Sequence, residues 1–385
     1  AEDTISAEEL SSAADFLESG TRLTKGEFTV EFEEKFASMV GSRHAIFVNS
    51  GSSANLLVAA ALKESGRLRN NVVVCPAISW VTTVTPFLQL GFEVQLCDCD
   101  PLNLGLDVQA LEVQIQQFDP GLVVMVDVLG HSNAMHEIQA LCQAHGALLM
   151  EDACEALGSE CGDVKLGRFG IAGSFSFYYG HHISTIEGGM VVTDDTDLWH
   201  VMKSIRSHGW ARDVSPAVSK MWREQSKVDT DPFRELYTFY FSGFNLRSTD
   251  LQAFIGVSQL KKLPEIIRAR ADNFSQYALE LPGFFRQRSS TDVLSSFAYG
   301  TLVTDPEQVG RALSDGGIES RPLICGNIGR HPFWVTRFGE TRMPNADRVH
   351  DHGIYLPNHH LLSKGDIGRV CEIMETSAVP FASDN

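Results

Sequence analysis

Two adjacent histidines, His181 and His182, stand in a polar turn between two apolar runs. Ahead of them, Ser174-Phe-Ser-Phe-Tyr-Tyr reads as a strand bearing Phe175, Phe177, Tyr178 and Tyr179. Behind them, Glu187-Gly-Gly leads into a second strand over 190–193. A polar loop joining two buried strands places its side chains on a rigid support. An imidazole titrates near neutrality, so such a loop suits proton transfer, although a His-His pair is often only a solvent-facing loop. Three other stretches carry comparable chemistry. Ser50-Gly-Ser-Ser follows an apolar run and opens an apolar helix. Small residues there let backbone N–H groups and the helix dipole meet a phosphate, or simply cap the helix. Asp152 ends the run Leu148-Leu-Met-Glu and can serve a ligand or cap the next turn. Trp80, just beyond Asn71-Val-Val-Val-Cys-Pro, is either a core ring or a flat face for a ligand.

The surrounding pattern says what must hold these groups. A short helix opens at Ser6, with Glu9 completing a capping box. Phe32, Phe36 and Met39 recur at helical spacing over 27–40. Strands at 93–98, 122–128 and 147–150 alternate with helices at 107–117 and 136–145. Alternating units with nearly continuous apolar strands predict an α/β fold, a mostly parallel sheet with helices on both faces. Ligands of such sheets sit beyond the carboxyl ends of the strands, where Asp152 falls. A polar, mixed segment over 213–235 reads as an excursion or flexible loop. A long amphipathic helix at 259–281 leads to a smaller C-terminal α/β domain, with a strand over 297–303 and a helix over 309–315. The expected division is an N-terminal helical segment at 1–19, a large domain at 20–255 and a small one at 256–385.

Composition narrows the class. The 385 residues suit two domains, and 43% hydrophobic with 21% charged is ordinary for a soluble globular chain. A net charge of −18 argues against a nucleic-acid or anionic-membrane binder, yet leaves room for a locally basic pocket. The acidic opening Ala1-Glu-Asp-Thr does not resemble a signal peptide, and no run of about 20 apolar residues predicts a span. The eight scattered cysteines read as reduced thiols of a cytoplasmic protein. Cys97-Asp-Cys99 lacks a matching pair, so no metal site is expected.

The loop from Ser174 to Gly189 resembles the pattern Ser-Phe-x-x-x-Lys-Asn-x-x-x-x-Glu-Gly-Gly of the DegT/DnrJ/EryC/StrS sugar-nucleotide aminotransferases. The likeness runs from about Thr21 to about His360. It implies the pyridoxal phosphate (PLP) fold of type I, similar to aspartate aminotransferase. By that resemblance, Ser52 and Ser53 grip the cofactor phosphate, Ser176 helps to hold the cofactor and Trp80 stacks on its ring. Asp152 faces the pyridine nitrogen, with Glu155 a weaker candidate behind it. Asn245, with Arg247 beside it, would reach the phosphate pocket of the neighbouring subunit in a homodimer. His208 and Arg321 would meet the nucleotide-sugar substrate.

One departure changes the implied chemistry. The family's Schiff-base lysine is His181 here, and imidazole cannot form that bond. Within the family a histidine at this place marks sugar 3-dehydratases. The implied cofactor is therefore held non-covalently, and L-glutamate would convert PLP to pyridoxamine phosphate (PMP). His181 would move the proton as the C3 hydroxyl of a nucleotide-linked 4-keto-6-deoxy sugar leaves, in deoxysugar and O-antigen biosynthesis. His182 takes the family's Asn position and is expected to tolerate Asn. A related dehydratase carries a four-cysteine iron–sulfur motif, which is not found here. Two alternatives stand: a sugar aminotransferase in which another group replaces the missing lysine, Lys165 and Lys203 being near in sequence although neither fits the loop, and a non-catalytic regulatory protein on the same fold. The nucleotide and the sugar are left open.

Overall fold

The computed structural model describes residues 4–20, 22–228, 231–235 and 237–381. Thr21, the start of the likeness, and the acidic opening Ala1-Glu-Asp lie outside the described residues. Seven strands make the central sheet: β1 (His44–Val48), β2 (Val72–Pro76), β3 (Glu93–Cys97), β4 (Leu122–Val126), β5 (Leu148–Asp152), β8 (Ala172–Ser176) and β9 (Gly189–Thr193). A two-stranded hairpin, β6 (Glu160–Cys161) with β7 (Val164–Lys165), intervenes. The order across the sheet is β1-β9-β8-β5-β4-β2-β3. Only β9 runs against its neighbours; every other pairing is parallel. Successive strand residues point to opposite faces, so each strand feeds two cores. Ile46, Val73, Cys75 and Val124 join one apolar cluster. Ala45, Phe47, Val74 and Val123 join the other. Helices cover both faces, as near-continuous apolar strands require.

The second face is closed by an aromatic cluster. Phe32 and Phe36 of the helix Glu27–Val40 pack on Phe47, Phe175 and Phe177, with centroids 5.0 Å (Phe32–Phe47), 5.1 Å (Phe36–Phe175) and 5.3 Å (Phe36–Phe177) apart. Each such buried ring contributes about 1.5–3 kcal/mol. That helix has no side-chain cap of its own at Gly26. The buried Asp250 supplies it, accepting from the Gly26, Phe28 and Thr29 N–H groups at 2.8, 3.2 and 2.8 Å.

Asp250 opens a helix of 31 residues, Asp250–Glu280, capped by a Thr249–Gln252 box. The 255/256 boundary falls inside this helix. Its far end packs on a three-stranded antiparallel sheet, ordered β10 (Ala298–Leu302), β12 (Gly353–Pro357) and β11 (Arg321–Pro322). Helices Pro306–Asp315 and Lys364–Ser377 complete this part around Tyr277, Tyr299, Leu356 and Met374.

Three expectations about local structure need correcting. The aromatic run does not stay in a strand: β8 stops at Ser176, and Tyr178 and Tyr179 stand exposed on the loop. Phe177 accepts from the Thr185 N–H at 3.0 Å, closing a wide turn through Gly180 (φ 88°), with Ile186 (φ 70°) just beyond it. The stretch 213–235 is partly helical, with helices Pro216–Ser226 and Pro232–Glu235 among its described residues. Ser215 caps the first of these with Pro216 behind it, the pairing that starts helices. Trp80 does not end a strand but is the N-cap of helix Val81–Gln89.

Candidate active site

A cavity of about 360 Å³ opens beyond the carboxyl ends of β4, β5 and β8, where Val126, Asp152 and Ser176 line it. The small lobe forms the opposite wall through Phe297, Arg321 and Tyr355. Seven of the expected residues line it: Ser52, Trp80, Asp152, Glu155, Ser176, His181 and Arg321. Ser53, His208, Asn245 and Arg247 do not.

One end is built on the N-terminus of helix Gly51–Glu64. Ser50 caps it, its Oγ accepting from the Ser53 N–H at 3.0 Å. The Ser53 hydroxyl is also bonded to Ser50 Oγ, at 3.0 Å, which turns it from the cavity. Ser52 is exposed instead, 2.8 Å from the Thr82 hydroxyl. A Cβ on Gly51 would stand 2.6 Å from Ser176 Cβ and 3.0 Å from its Oγ, so only glycine leaves this cradle open. A helix N-terminus ringed by hydroxyls is a phosphate site in kind.

One turn along the same helix, Asn55 donates to Asp152 Oδ2 at 2.8 Å. Thr83 donates to that oxygen at 2.7 Å, and the Cys154 N–H to Oδ1 at 3.1 Å. All three donors are neutral, so none of them brings a countercharge, and a cationic N–H of a ligand would be the matching partner. Trp80 is 56% exposed, offering a ring face to the same space. A protonated pyridine nitrogen, a flat ring and a phosphate thus each meet a matching group, and the residues present fit PLP.

Glu155 lies three residues beyond Asp152. Its carboxylate accepts from the Leu129 N–H at 2.9 Å. Burial, with the Asp152 charge adding, pushes its pKa up to about 8, despite the opposing pull of that N–H.

His181 is held by its Nδ1, 2.9 Å from the Cys154 carbonyl. A carbonyl only accepts, so Nδ1 carries the proton and Nε2 is left with the lone pair. Burial drives its pKa down to about 4, the Cys154 bond and Asp152 opposing and Arg270 assisting. It is a neutral imidazole at physiological pH, with its free nitrogen available as a base. His182 behaves otherwise: it is buried, its Nε2 is 2.9 Å from the Ser295 carbonyl, and it does not line the cavity. Asn there would have to reach the same carbonyl with a shorter side chain.

No lysine lines the cavity among the described residues. Lys165 pairs with Glu160, and Lys203 lies 4.3 Å over the Trp199 ring. Arg321 reaches the cavity already bound to Glu319, at 2.6 Å from Nη2, and crosses from Tyr355 in register. An anion arriving there must compete with Glu319. His208, Asn245 and Arg247 form a cluster of their own: Arg247 is 3.1 Å from Asn245 Oδ1 and 3.2 Å from His208 Nε2. Asn245 is exposed and does not line its own chain's cavity.

Sequence reasoning missed Asn55, Thr83, Tyr178, Tyr179, Phe297 and Tyr355. Asn55 had a readable signal, one helical turn after the Ser50-Gly-Ser-Ser cap. Phe297 and Tyr355 had none, since they arrive from strands far along the chain.

Comparison with known proteins agrees with this geometry. The model of the DegT/DnrJ/EryC1/StrS aminotransferase family matches residues 3–375. GDP-4-keto-6-deoxy-D-mannose 3-dehydratase of Escherichia coli O55:H7 is 32% identical over 366 residues, covering 91% of this chain and 93% of that protein. A structure of GDP-4-keto-6-deoxymannose-3-dehydratase with a trapped PLP-glutamate geminal diamine superposes with a TM-score of 0.88 at 30% identity, covering 97% and 98% of the two chains. A Helicobacter pylori aminotransferase involved in pseudoaminic acid biosynthesis superposes at 0.85, with 26% identity and 97% of each chain covered.

Proposed function

The chain belongs to the DegT/DnrJ/EryC1/StrS aminotransferase family, with the PLP-enzyme fold of that family, and on that footing we propose that it is a 3-dehydratase of a nucleotide-linked 4-keto-6-deoxy sugar. The observation that carries the reading is a neutral His181 in a cavity that, among the described residues, no lysine lines. Relatives named for dehydration and for amino transfer share the fold, and it is this residue that favours the dehydratase reading over the other.

PLP supplies an electron sink, and as PMP an amine, at which a sugar carbonyl can be activated. The chain's own residues do the rest. Ser52, Ser176 and the N-terminus of helix Gly51–Glu64 would hold the phosphate. Asp152, fixed by Asn55 and Thr83, would keep the ring nitrogen protonated. Trp80 would cover one ring face. His181 Nε2 would take a proton from the cofactor side and return it to the departing C3 hydroxyl, both roles open to one imidazole. L-Glutamate is the proposed amino donor, as in the glutamate adduct trapped in the relative. Arg321 would meet a substrate phosphate after releasing Glu319. Asn245, with Arg247 and His208 clustered beside it, would complete the partner's site in a homodimer. Sedimentation tests that point: an active monomer at low concentration refutes it.

Product analysis tests the activity. Incubated with PLP, glutamate and GDP-4-keto-6-deoxymannose, the protein should yield ammonia and a 3-deoxy sugar. An amino sugar would mean aminotransferase; neither product, with the cofactor bound, would favour a regulatory protein.

A further inference from the structure

Arg270 lies in the middle of helix Asp250–Glu280 and is 1% exposed, among the largest fully buried side chains of the protein. Its hydrogen bonds all go to main-chain carbonyls. Nη1 donates to Phe297 at 2.9 Å, to Ser296 at 3.3 Å and to Asn358, while Nη2 donates to His181 at 3.3 Å. Those carbonyls belong to three separate pieces of chain: the loop carrying His181, the entry to β10 and the exit from β12. Asn358 reinforces the join, its Nδ2 donating to the carbonyls of Arg270 and Ser296 at 3.0 and 3.1 Å. The Phe297 ring lies between, 4.9 Å from the His181 ring and 5.9 Å from the guanidinium.

A buried cation without a carboxylate is costly, and an apolar side chain of similar size is the usual substitute. Here the charge is retained and directed at the loop. We infer that Arg270 is the positioning residue of the site: it fixes the His181 main chain against both lobes and keeps a positive charge beside the imidazole. The inference rests on His181 as the proton-transfer group. Electrostatics agree in direction. Burial lowers His181 and His182 first, and Arg270 lowers both further; it also assists burial in lowering His360. Asp152 is the carboxylate that opposes it at His181. A guanidinium suits this role because five fixed donors can span several carbonyls, whereas lysine has three on one nitrogen.

The test compares Arg270→Lys and Arg270→Gln in the full chain without cofactor. Amide exchange across residues 178–186 is read against β4, and the His181 imidazole is followed by NMR, assigned by its absence in His181→Asn. Lysine keeps the charge, so the His181 midpoint should hold while the loop exchanges faster. Glutamine loses both: faster exchange, and a midpoint moving from about 4 toward the ordinary imidazole range. With cofactor and substrate, kcat should fall about 10²-fold in Arg270→Gln with KM little changed, the cost of a displaced catalytic group. Loop exchange and the His181 midpoint unchanged in every variant that folds would overturn the inference. So would loss of folding in both, which would make Arg270 a general element of the fold. Failure of the dehydratase reading would show differently, as a wild-type product other than deoxy sugar with the titration still moving.

Discussion

Replacing Glu155 with Gln should stabilise the cofactor-free protein at neutral pH and do little near pH 4.5. In the folded chain Glu155 keeps its proton up to about 8, against an ordinary 4.5. A carboxyl raised in the folded state contributes fully below 4.5 and loses that contribution as the pH rises through 8. At pH 7 the unfolded chain has released the proton and the folded chain has not, so the folded form is penalised over that interval. At about 1.4 kcal/mol per pH unit the penalty reaches about 3 kcal/mol, an upper figure because the cavity admits water to one side of the carboxyl. Gln keeps an oxygen to accept from Leu129 N–H and has nothing to titrate. Urea denaturation of both proteins at about pH 4.5 and pH 7 reads the difference, and groups common to both cancel. A gap of the same size at both pH values, or a wild type more stable at pH 7, would refute the reasoning.

His181→Asn should cut dehydration about 10²–10⁴-fold, the usual worth of a positioned acid–base group; near-parental turnover would move the base elsewhere, with His208 next. His181→Lys should instead bind PLP covalently, seen as an absorbance band absent from the parent. In the parent itself PLP should leave on dialysis, and borohydride without amino donor should label no residue; a lysine adduct would show the site to be misplaced. Gly51→Ala should lower the stability of the cofactor-free protein by about 1–3 kcal/mol through the clash with Ser176, read by urea denaturation, and should weaken PLP binding as well, measured by absorbance titration.

Much of this was readable from local pattern. Five-residue strands such as Leu122–Val126, apolar at every position, leave little but a sheet covered on both faces. Ser52, Asp152 and His181 lie where a strand gives way to a turn, and their context in the chain marked them. Alternation misled at Tyr178 and Tyr179, because an aromatic run has the same composition whether it packs in a sheet or walls a cavity. Ser53 does not line the cavity, for a finer reason: two neighbouring hydroxyls are equivalent in a sequence, and only the helix geometry brings one to Ser50 and leaves the other on the cavity wall. Arg270, Phe297 and Tyr355 were invisible because what they touch lies scores of residues away.

That distance sets a timetable. His181 and the arginine that steadies it are 89 residues apart, and Gln259, which accepts from the Ser184 N–H of the same loop at 3.3 Å, also comes later. At about 5–20 residues per second of synthesis, the loop emerges from the ribosome on the order of 4–18 seconds before its support. The sheet can form in that interval, since its last strand, β9, ends at Thr193. All seven strands of the sheet have thus been synthesised before the helix that caps Glu27–Val40, fills part of the core and steadies the His181 loop.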